Sequence, residues 1–409
     1  MASLSLPGAD RPFKIEVTDE QLDSLKRKLA LTTFPDELED AGRDYGAPLA
    51  ELKRLVARWQ NGYDWRKHEK ELNDELPQFK KEIHVGGFGD LDIHFVHKTS
   101  EVEGAIPLLF VHGWPGSFIE VRKILPLLTQ ASPDHPSFHV VAFSLPGYGF
   151  STAPKKKGFD IAQYAEVGNK LMLSLGYEEY VTQGGDWGAH ITRKIALLYG
   201  GQNSKAWHSN FARWATSGSP PTLRTAPWVY LSSIFKKYTP AEVAGLKRTE
   251  WFEKEGRGYN LEQSTQPQTL GYSLADSASG LLAWIYEKLV NWTDGYPWED
   301  DEVLTWVSIY WFSTAGPAAS LRIYYEKIHG EDDSAQIPTI PQGVSYFPKE
   351  LVVYPRAWTR TKYTVFEKEH ESGGHFAAHE KPVELVTDLR NMFAKNGPAY
   401  GVVNDRKGY

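Results

Sequence analysis

The 409 residues carry a net charge of −7 and no cysteine. That balance leaves no basic footprint for nucleic acid, and the missing thiols exclude disulfides, thiolate catalysis and cysteine-ligated zinc. No run of about 18 apolar residues occurs, and Met1 to Asp19 lacks an apolar core of signal-peptide length, so the chain reads as soluble and cytoplasmic, without a membrane anchor.

Thr18-Asp19-Glu20-Gln21 is a capping box that opens a helix with Leu22, Leu25 and Leu29 on one face. Pro48 starts a second helix, carrying Leu49, Leu52, Val56 and Trp59, and Pro35 to Pro48 between them reads as a loop. Their narrow apolar stripes need another body to pack on. Residues 1–79 are therefore expected to form a helical arm on the main domain.

Near Lys80 the period changes to two. Ile83 and Val85, then Leu91, Ile93 and Phe95, alternate around Gly86-Gly87-Phe88-Gly89-Asp90, the pattern of a hairpin. Ile106 to Val111 is a continuous apolar run, as a buried parallel strand should be. A helical stretch through Val121, Ile124 and Leu127 follows, then a strand over Phe138–Phe143. Asp160 caps a helix with Ile161, Tyr164, Val167, Leu171 and Leu175 on one face, closed by Gly176. Strands over Glu179–Gln183 and Ala206–Phe211 complete the first part of an α/β core, 80–212. From about Arg213 to Gln342 the pattern is helical and rich in Trp and Tyr, which reads as an inserted cap. Strand character resumes at Val344–Phe347 and Tyr363–Phe366, and a last helix carries Leu385, Leu389 and Phe393. The second core part is thus 343–409, with the tail beyond Gly397 expected to fray. Strands alternating with helices predict a mostly parallel sheet covered on both faces.

Gly184-Gly185-Asp186-Trp187-Gly188 lies between a strand and a helix, the context of a nucleophile elbow. Asp186 by itself could be a helix cap, but a carboxylate at that bend can also attack an sp³ carbon and form an ester. Elbow hydrolases run in the order nucleophile, acid, histidine. Glu350, just past a strand in Phe347-Pro348-Lys349-Glu350, and His375, in Gly373-Gly374-His375-Phe376-Ala377-Ala378, stand in that order. His112-Gly113-Trp114-Pro115 follows the first long strand, where one backbone oxyanion donor (Trp114) belongs; Trp187 supplies the other. His375 and His379 are spaced i, i+4, but the zinc motif needs Glu where Phe376 stands, so no metal is expected. Gly147-Tyr148-Gly149-Phe150-Ser151 lacks the third glycine of a dinucleotide loop.

Taken together, His112 to Ser117, Gly184 to Gly188, Phe347 to Glu350 and Gly373 to Ala378 resemble the α/β-hydrolase epoxide hydrolases, in the branch shared by microsomal-type and fungal soluble enzymes. The resemblance runs from about Pro12 to Phe393 and includes the arm and the cap segment from Gln266 to Lys288. It implies an α/β-hydrolase fold, no cofactor, and two cap tyrosines that give protons to the epoxide oxygen. The matching positions are Tyr259 and Tyr324, with Tyr325 as the rival for the second. His379 departs from the bulky apolar residue more usual after Gly-Gly-His-Phe-Ala-Ala.

The implied reaction has Asp186 open the epoxide, and water activated by His375, itself oriented by Glu350, hydrolyse the resulting ester to a vicinal diol. The substrate surface is expected to include His112, Trp114, Pro115, Trp187, Tyr259, Tyr324 and Phe376, with cap aromatics such as Trp284, Tyr286, Trp292 and Trp311 favouring apolar epoxides. The partners implied are a small hydrophobic epoxide and water, with no nucleic acid and with a homodimer left open. Two alternatives stand beside this one: a haloalkane dehalogenase, which also uses an elbow Asp followed by Trp, and a non-catalytic binder of hydrophobic ligands on the same fold.

Overall fold

In a computed structural model, residues 10–212 and 238–409 are described; the first nine residues of the expected arm and residues 213–237 of the expected cap lie outside them. Nine strands form one sheet: β1 (Arg11–Pro12), β2 (Gln78–Val85), β3 (Gly89–Lys98), β4 (Ile106–Val111), β5 (Phe138–Phe143), β6 (Tyr180–Gly184), β7 (Ser204–Ser209), β8 (Gln342–Tyr346) and β9 (Thr364–Glu369). Their spatial order is β1-β2-β3-β5-β4-β6-β7-β8-β9, parallel from β5 to β9 and antiparallel on the β1–β3 side. The hairpin β2–β3 closes at Val85 opposite Gly89, with Gly87 and Gly89 both at positive φ, where a side chain would be strained. Every residue of β4, β5 and β6 is buried, because helices cover both faces of the parallel part. This is the α/β-hydrolase architecture.

Three helices precede the hairpin: α1 (Asp19–Ala30), α2 (Leu49–Asn61) and α3 (Trp65–Glu75). The capping box at Thr18 and Gln21 forms, and Leu25 and Leu29 point inward. Helix α3 has no counterpart in the sequence reading. Only Trp65 and Leu72 of its eleven residues are buried and apolar, too few to show a period, and its third buried side chain is Glu69. Glu69 is held by the Val17 N–H at 2.6 Å, the Trp65 indole at 3.1 Å and Arg66 at 2.7 Å. The helix expected through Val121 to Leu127 is instead a 3₁₀ turn, Phe118–Val121, and a short α4 (Leu125–Thr129) with Pro126 in its first turn, where a helix running through from the 3₁₀ turn would lose a backbone bond. Helices α5 (Ile161–Ser174) and α6 (Asp186–Tyr199) flank β6, and Gly176 closes α5 at positive φ.

Between β7 and β8 the described chain is helical: α7 (Pro240–Trp251), α8 (Gly258–Thr265), α9 (Pro267–Asp276), α10 (Ala278–Asn291), α11 (Asp300–Trp311) and α12 (Arg322–His329). The arm meets this cap as well as the sheet. Arg58 makes two 2.8 Å bonds to Asp301, Lys28 reaches Asp276 at 2.6 Å, and Tyr63 Oη lies 2.9 Å from Thr305 Oγ1. Exposed ion pairs of this kind contribute little each. No helix among the described residues is long and apolar enough to cross a membrane.

The last helix, α13, spans Pro382–Phe393, and the segment after it does not fray. Ala399 and Val403 are in the core, the Ser137 N–H donates to Gly408 O at 2.8 Å, and the Gly408 N–H donates to Gly104 O at 2.7 Å. Asn404 is held by Glu179 through both its backbone and its side-chain amide. The tail is polar in composition yet fastens the loops that begin β4, β5 and β6. Deleting residues 399–409 should therefore lower Tm by about 3 °C or more, read by scanning calorimetry; a loose tail would leave Tm unchanged.

Candidate active site

Buried strand β6 runs into α6 through Gly185, and Asp186, the first helical residue, has φ of 50°. A non-glycine residue in that region is strained by roughly 1–2 kcal/mol. The close fit of the surrounding backbone sustains the strain. A Cβ on Gly188 would strike Val111 O, and one on Gly113 would strike Asp186 Oδ1. Oδ1 accepts the Trp114 N–H at 2.8 Å, so the loop after β4 delivers a backbone donor to the carboxylate. Trp187 is the second residue of α6, whose N–H has no intrahelical acceptor.

His375 Nε2 lies 3.2 Å from Asp186 Oδ2, and its Nδ1 is hydrogen-bonded to Glu350 Oε1. The same Glu350 oxygen accepts the Leu351 N–H at 2.7 Å. The loop holding the imidazole is clamped at three successive backbone N–H groups: Gly373 to Asp294 Oδ2 (2.9 Å), Gly374 to Glu380 Oε1 (2.9 Å) and His375 to Trp292 O (2.8 Å). Burial works against a charge on His375, but Glu350 and Asp186 outweigh it and raise the imidazole to about 10. In the resting site it is an imidazolium between two carboxylates.

A residue that sequence reasoning missed stands beside this line. Glu120, in the 3₁₀ turn after the Trp114 loop, is 9% exposed, and burial, with Asp186 adding to it, pushes its carboxyl up to about 8. Glu120, Asp186, His375, Gln183, Asn210 and Phe376 line a void with about 10 Å³ open to a water centre, room for a single water. Gln183 donates to Asn210 at 2.8 Å, leaving its own Oε1 buried and unpaired.

Above the carboxylate, Tyr259 of α8 and Tyr324 of α12 are buried with ring centres 5.9 Å apart. Tyr259 stacks on Trp114 at 5.3 Å, and Tyr324 meets the faces of Trp114 at 5.7 Å and Trp187 at 4.7 Å edge-on. Tyr324 Oη and Trp187 Nε1 are buried with no well-aligned hydrogen-bond partner among the described residues, though the indole lies near enough to the phenol to act on it. Burial, then Tyr259 and Asp186, hold the Tyr324 phenol well above its usual range, so it stays protonated. Tyr325 is 36% exposed and stacks on His329 outside the site. Trp292 and Phe376 close the wall beside His375, at 5.0 and 5.2 Å between ring centres.

Two residues expected against the substrate serve the scaffold instead. His112 donates from Nδ1 to Gly113 O and accepts the Leu145 N–H at Nε2, and burial lowers it to about 4, so a neutral ring with both nitrogens occupied joins two loops. Pro115, after a cis peptide bond, gives its carbonyl to the Trp306 indole at 2.5 Å, while Gly116 O accepts from Tyr310 Oη at 2.6 Å. Of the cap aromatics, Tyr286 faces the arm and donates to Glu51 at 2.6 Å. His379 is more than a tolerated variant: it stacks on Trp298 at 5.0 Å and bonds Glu302 of α11 at 2.7 Å, joining core to cap. No group of three metal-ligating side chains occurs among the described residues. Tyr148, from the dinucleotide lookalike, donates to Ser320 O at 3.2 Å and so braces the cap.

The family profile "epoxide hydrolase N terminus" matches residues 10–121, and "alpha/beta hydrolase fold" matches 106–243. A putative epoxide hydrolase of Stigmatella aurantiaca is 40% identical over 93% of this chain and 84% of its own. Epoxide hydrolase 1 of Sus scrofa is 37% identical over 93% of this chain and 88% of its own. Among solved structures, Aspergillus niger epoxide hydrolase superposes with a TM-score of 0.80 at 35% identity, covering 94% and 97% of the two chains. Juvenile hormone epoxide hydrolase of Bombyx mori gives 0.82 at 31% identity, covering 93% of each. With relatives this similar over nearly its whole length, the chain belongs to the epoxide hydrolase family, cofactor-independent hydrolases built on the α/β-hydrolase fold.

Proposed function

We propose that the protein converts hydrophobic epoxides to vicinal diols through a covalent ester on Asp186. The observation that carries this reading is the unbroken line Glu350–His375–Asp186 set under two buried phenols. We also propose the division into arm (1–79), core (80–212 and 343–409) and inserted cap (213–342), so that core supplies nucleophile and base and cap supplies acid.

Asp186 Oδ2 or Oδ1 attacks a ring carbon while Tyr259 and Tyr324 bond the epoxide oxygen, since a phenol is a stronger acid than the alcohol being formed. Paired phenols suit a developing alkoxide, which needs a proton; a departing halide needs none. Ester formation removes the Asp186 charge, and His375 loses one of the two carboxylates that hold it protonated. Its pKa falls from about 10, it returns its proton to the phenolate left by ring opening, and the neutral ring takes a proton from water while Glu350 stabilises the imidazolium that re-forms. Glu120, still a carboxylic acid at pH 7, and Gln183 hold that water in the small void. The Trp114 and Trp187 N–H groups stabilise the tetrahedral oxyanion, each worth about 3 kcal/mol in comparable sites.

His375→Gln should trap the ester, seen by intact mass as protein plus substrate, with hydrolysis slowed by about 10²- to 10⁴-fold; Asp186→Asn should give no adduct in the first turnover. One turnover of styrene oxide in ¹⁸O-water should leave the first diol unlabelled and put the label in Asp186, and a labelled first diol would exclude the ester route. The base must be neutral, so ester hydrolysis is expected to fall as pH drops through the His375 pKa of the ester state, which lies below the resting value of about 10. Rapid-quench mass spectrometry from pH 5 to 9 should show ester accumulating on the acid side. A flat profile would assign the base elsewhere.

A further inference from the structure

One buried charge in the cap has no part in the reaction as written. Lys288 lies on α10 with its side chain 3% exposed, whereas a lysine on a helix facing an interior usually extends its ammonium to water. Its ammonium is paired with the neighbouring Glu287 and sits 5.0 Å from the ring centre of Tyr259 and 5.1 Å from that of Trp284. Trp284 is fixed by a 2.9 Å bond from its indole to Gln263, a buried residue of α8, the helix that carries Tyr259. Burial lowers the pKa of Lys288, and Glu287 opposes that shift.

The two phenols therefore stand in different fields. Tyr259 packs among Trp114, Trp292, Phe252 and Tyr324, with the Lys288–Glu287 pair at its ring. Among the described residues no cation lies over the Tyr324 ring; burial, then Tyr259, Asp186 and Tyr148 disfavour its phenolate, and the Trp187 indole opposes them. A cation near an aromatic ring stabilises the ring more once it carries a negative charge, because a charge–charge term is added to the quadrupole term.

We propose that Lys288 is a positioning residue that acts through Tyr259, making it the phenol that gives its proton to the opening epoxide while Tyr324 holds the same oxygen by a hydrogen bond. The proposal rests on the Asp186 ester reading. In the step, an Asp186 lone pair forms the new C–O bond and the ring C–O pair moves onto oxygen. That oxygen takes the Tyr259 proton, leaving a phenolate beside the ammonium. Once the ester has removed the Asp186 charge, the imidazolium proton of His375 restores the phenol and leaves the ring neutral; that ring then takes the proton of the attacking water and becomes the resting imidazolium again, so one epoxide and one water give one diol.

The test measures alkylation alone, in a His375→Gln background, by rapid-quench intact mass with 1,2-epoxypropane and its trifluoromethyl analogue, which opens to a less basic alkoxide. Lys288→Met should slow alkylation by the parent epoxide about tenfold, the equivalent of one pKa unit in the acid. The deficit should shrink markedly for the trifluoromethyl epoxide, and Lys288→Arg, which keeps the cation, should recover most of the rate. Tyr259→Phe should show the same dependence on the epoxide, more strongly than Tyr324→Phe. If Lys288→Met does not fold, Lys288→Gln takes its place with the same expectations. Equal deficits on both epoxides, or none, would overturn the role of Lys288, since a purely structural defect has no reason to follow alkoxide basicity. Absence of any Asp186 ester in His375→Gln alone would overturn the underlying reading and this proposal together, whereas a normal ester with unaltered Lys288→Met kinetics would sink only the latter.

Discussion

The short hydrogen bond between the Trp114 N–H and the Asp186 carboxylate is where the two halves of the site meet. It joins the loop after β4 to the elbow after β6, two strands that are neighbours in the sheet, and it is available only because Gly113 has no side chain to occupy the same space. The positive φ of Asp186 and the glycines around it follow from that closeness. Such a contact needs a rigid frame, which the fully buried strands β4 and β6 supply.

In the proposed route, charge within the site lets each step prepare the next. Glu350 and Asp186 together hold His375 protonated, and a protonated imidazole cannot act as a base. Under the proposed ester route, spending the nucleophile removes one negative charge and releases the imidazole to do its work. Glu120 extends the pattern: its carboxyl, near Asp186, stays neutral because burial, with Asp186 adding to it, outweighs the pull of His375 toward the charged form. It can donate a hydrogen bond to water at a pH where an exposed glutamate could only accept one.

Much of this was legible in the sequence, and the parts that were not share a cause. Gly184 to Gly188 announced a bend because glycine is required wherever backbones come into contact, and the order Asp186, Glu350, His375 followed from motifs at strand ends. The tyrosines were another matter. Helical periodicity does not say which of Tyr324 and Tyr325 faces inward, and only the resemblance singled out Tyr324; packing then put it under Trp187 and left Tyr325 outside. Glu120 and Lys288 were invisible because a charged residue in a turn or on a helix reads as a solvated one, and their burial is a property of the assembled tertiary structure. The same holds for α3, whose inward side includes a glutamate, and for His112, whose motif marked the right loop but not the direction its ring takes.

The two bonds from the cap to the Trp114 loop, Trp306 to Pro115 O and Tyr310 to Gly116 O, have a bearing on how the chamber exchanges its contents. They anchor the carbonyls of the very turn that presents the Trp114 amide to the nucleophile. Swinging α11 away as a rigid flap would pull on that turn and disturb the Trp114–Asp186 bond beneath it. Exchange of the chamber's contents is therefore best served by small side-chain excursions at the margin of the cap, since a wider opening at α11 would cost the Trp114–Asp186 contact.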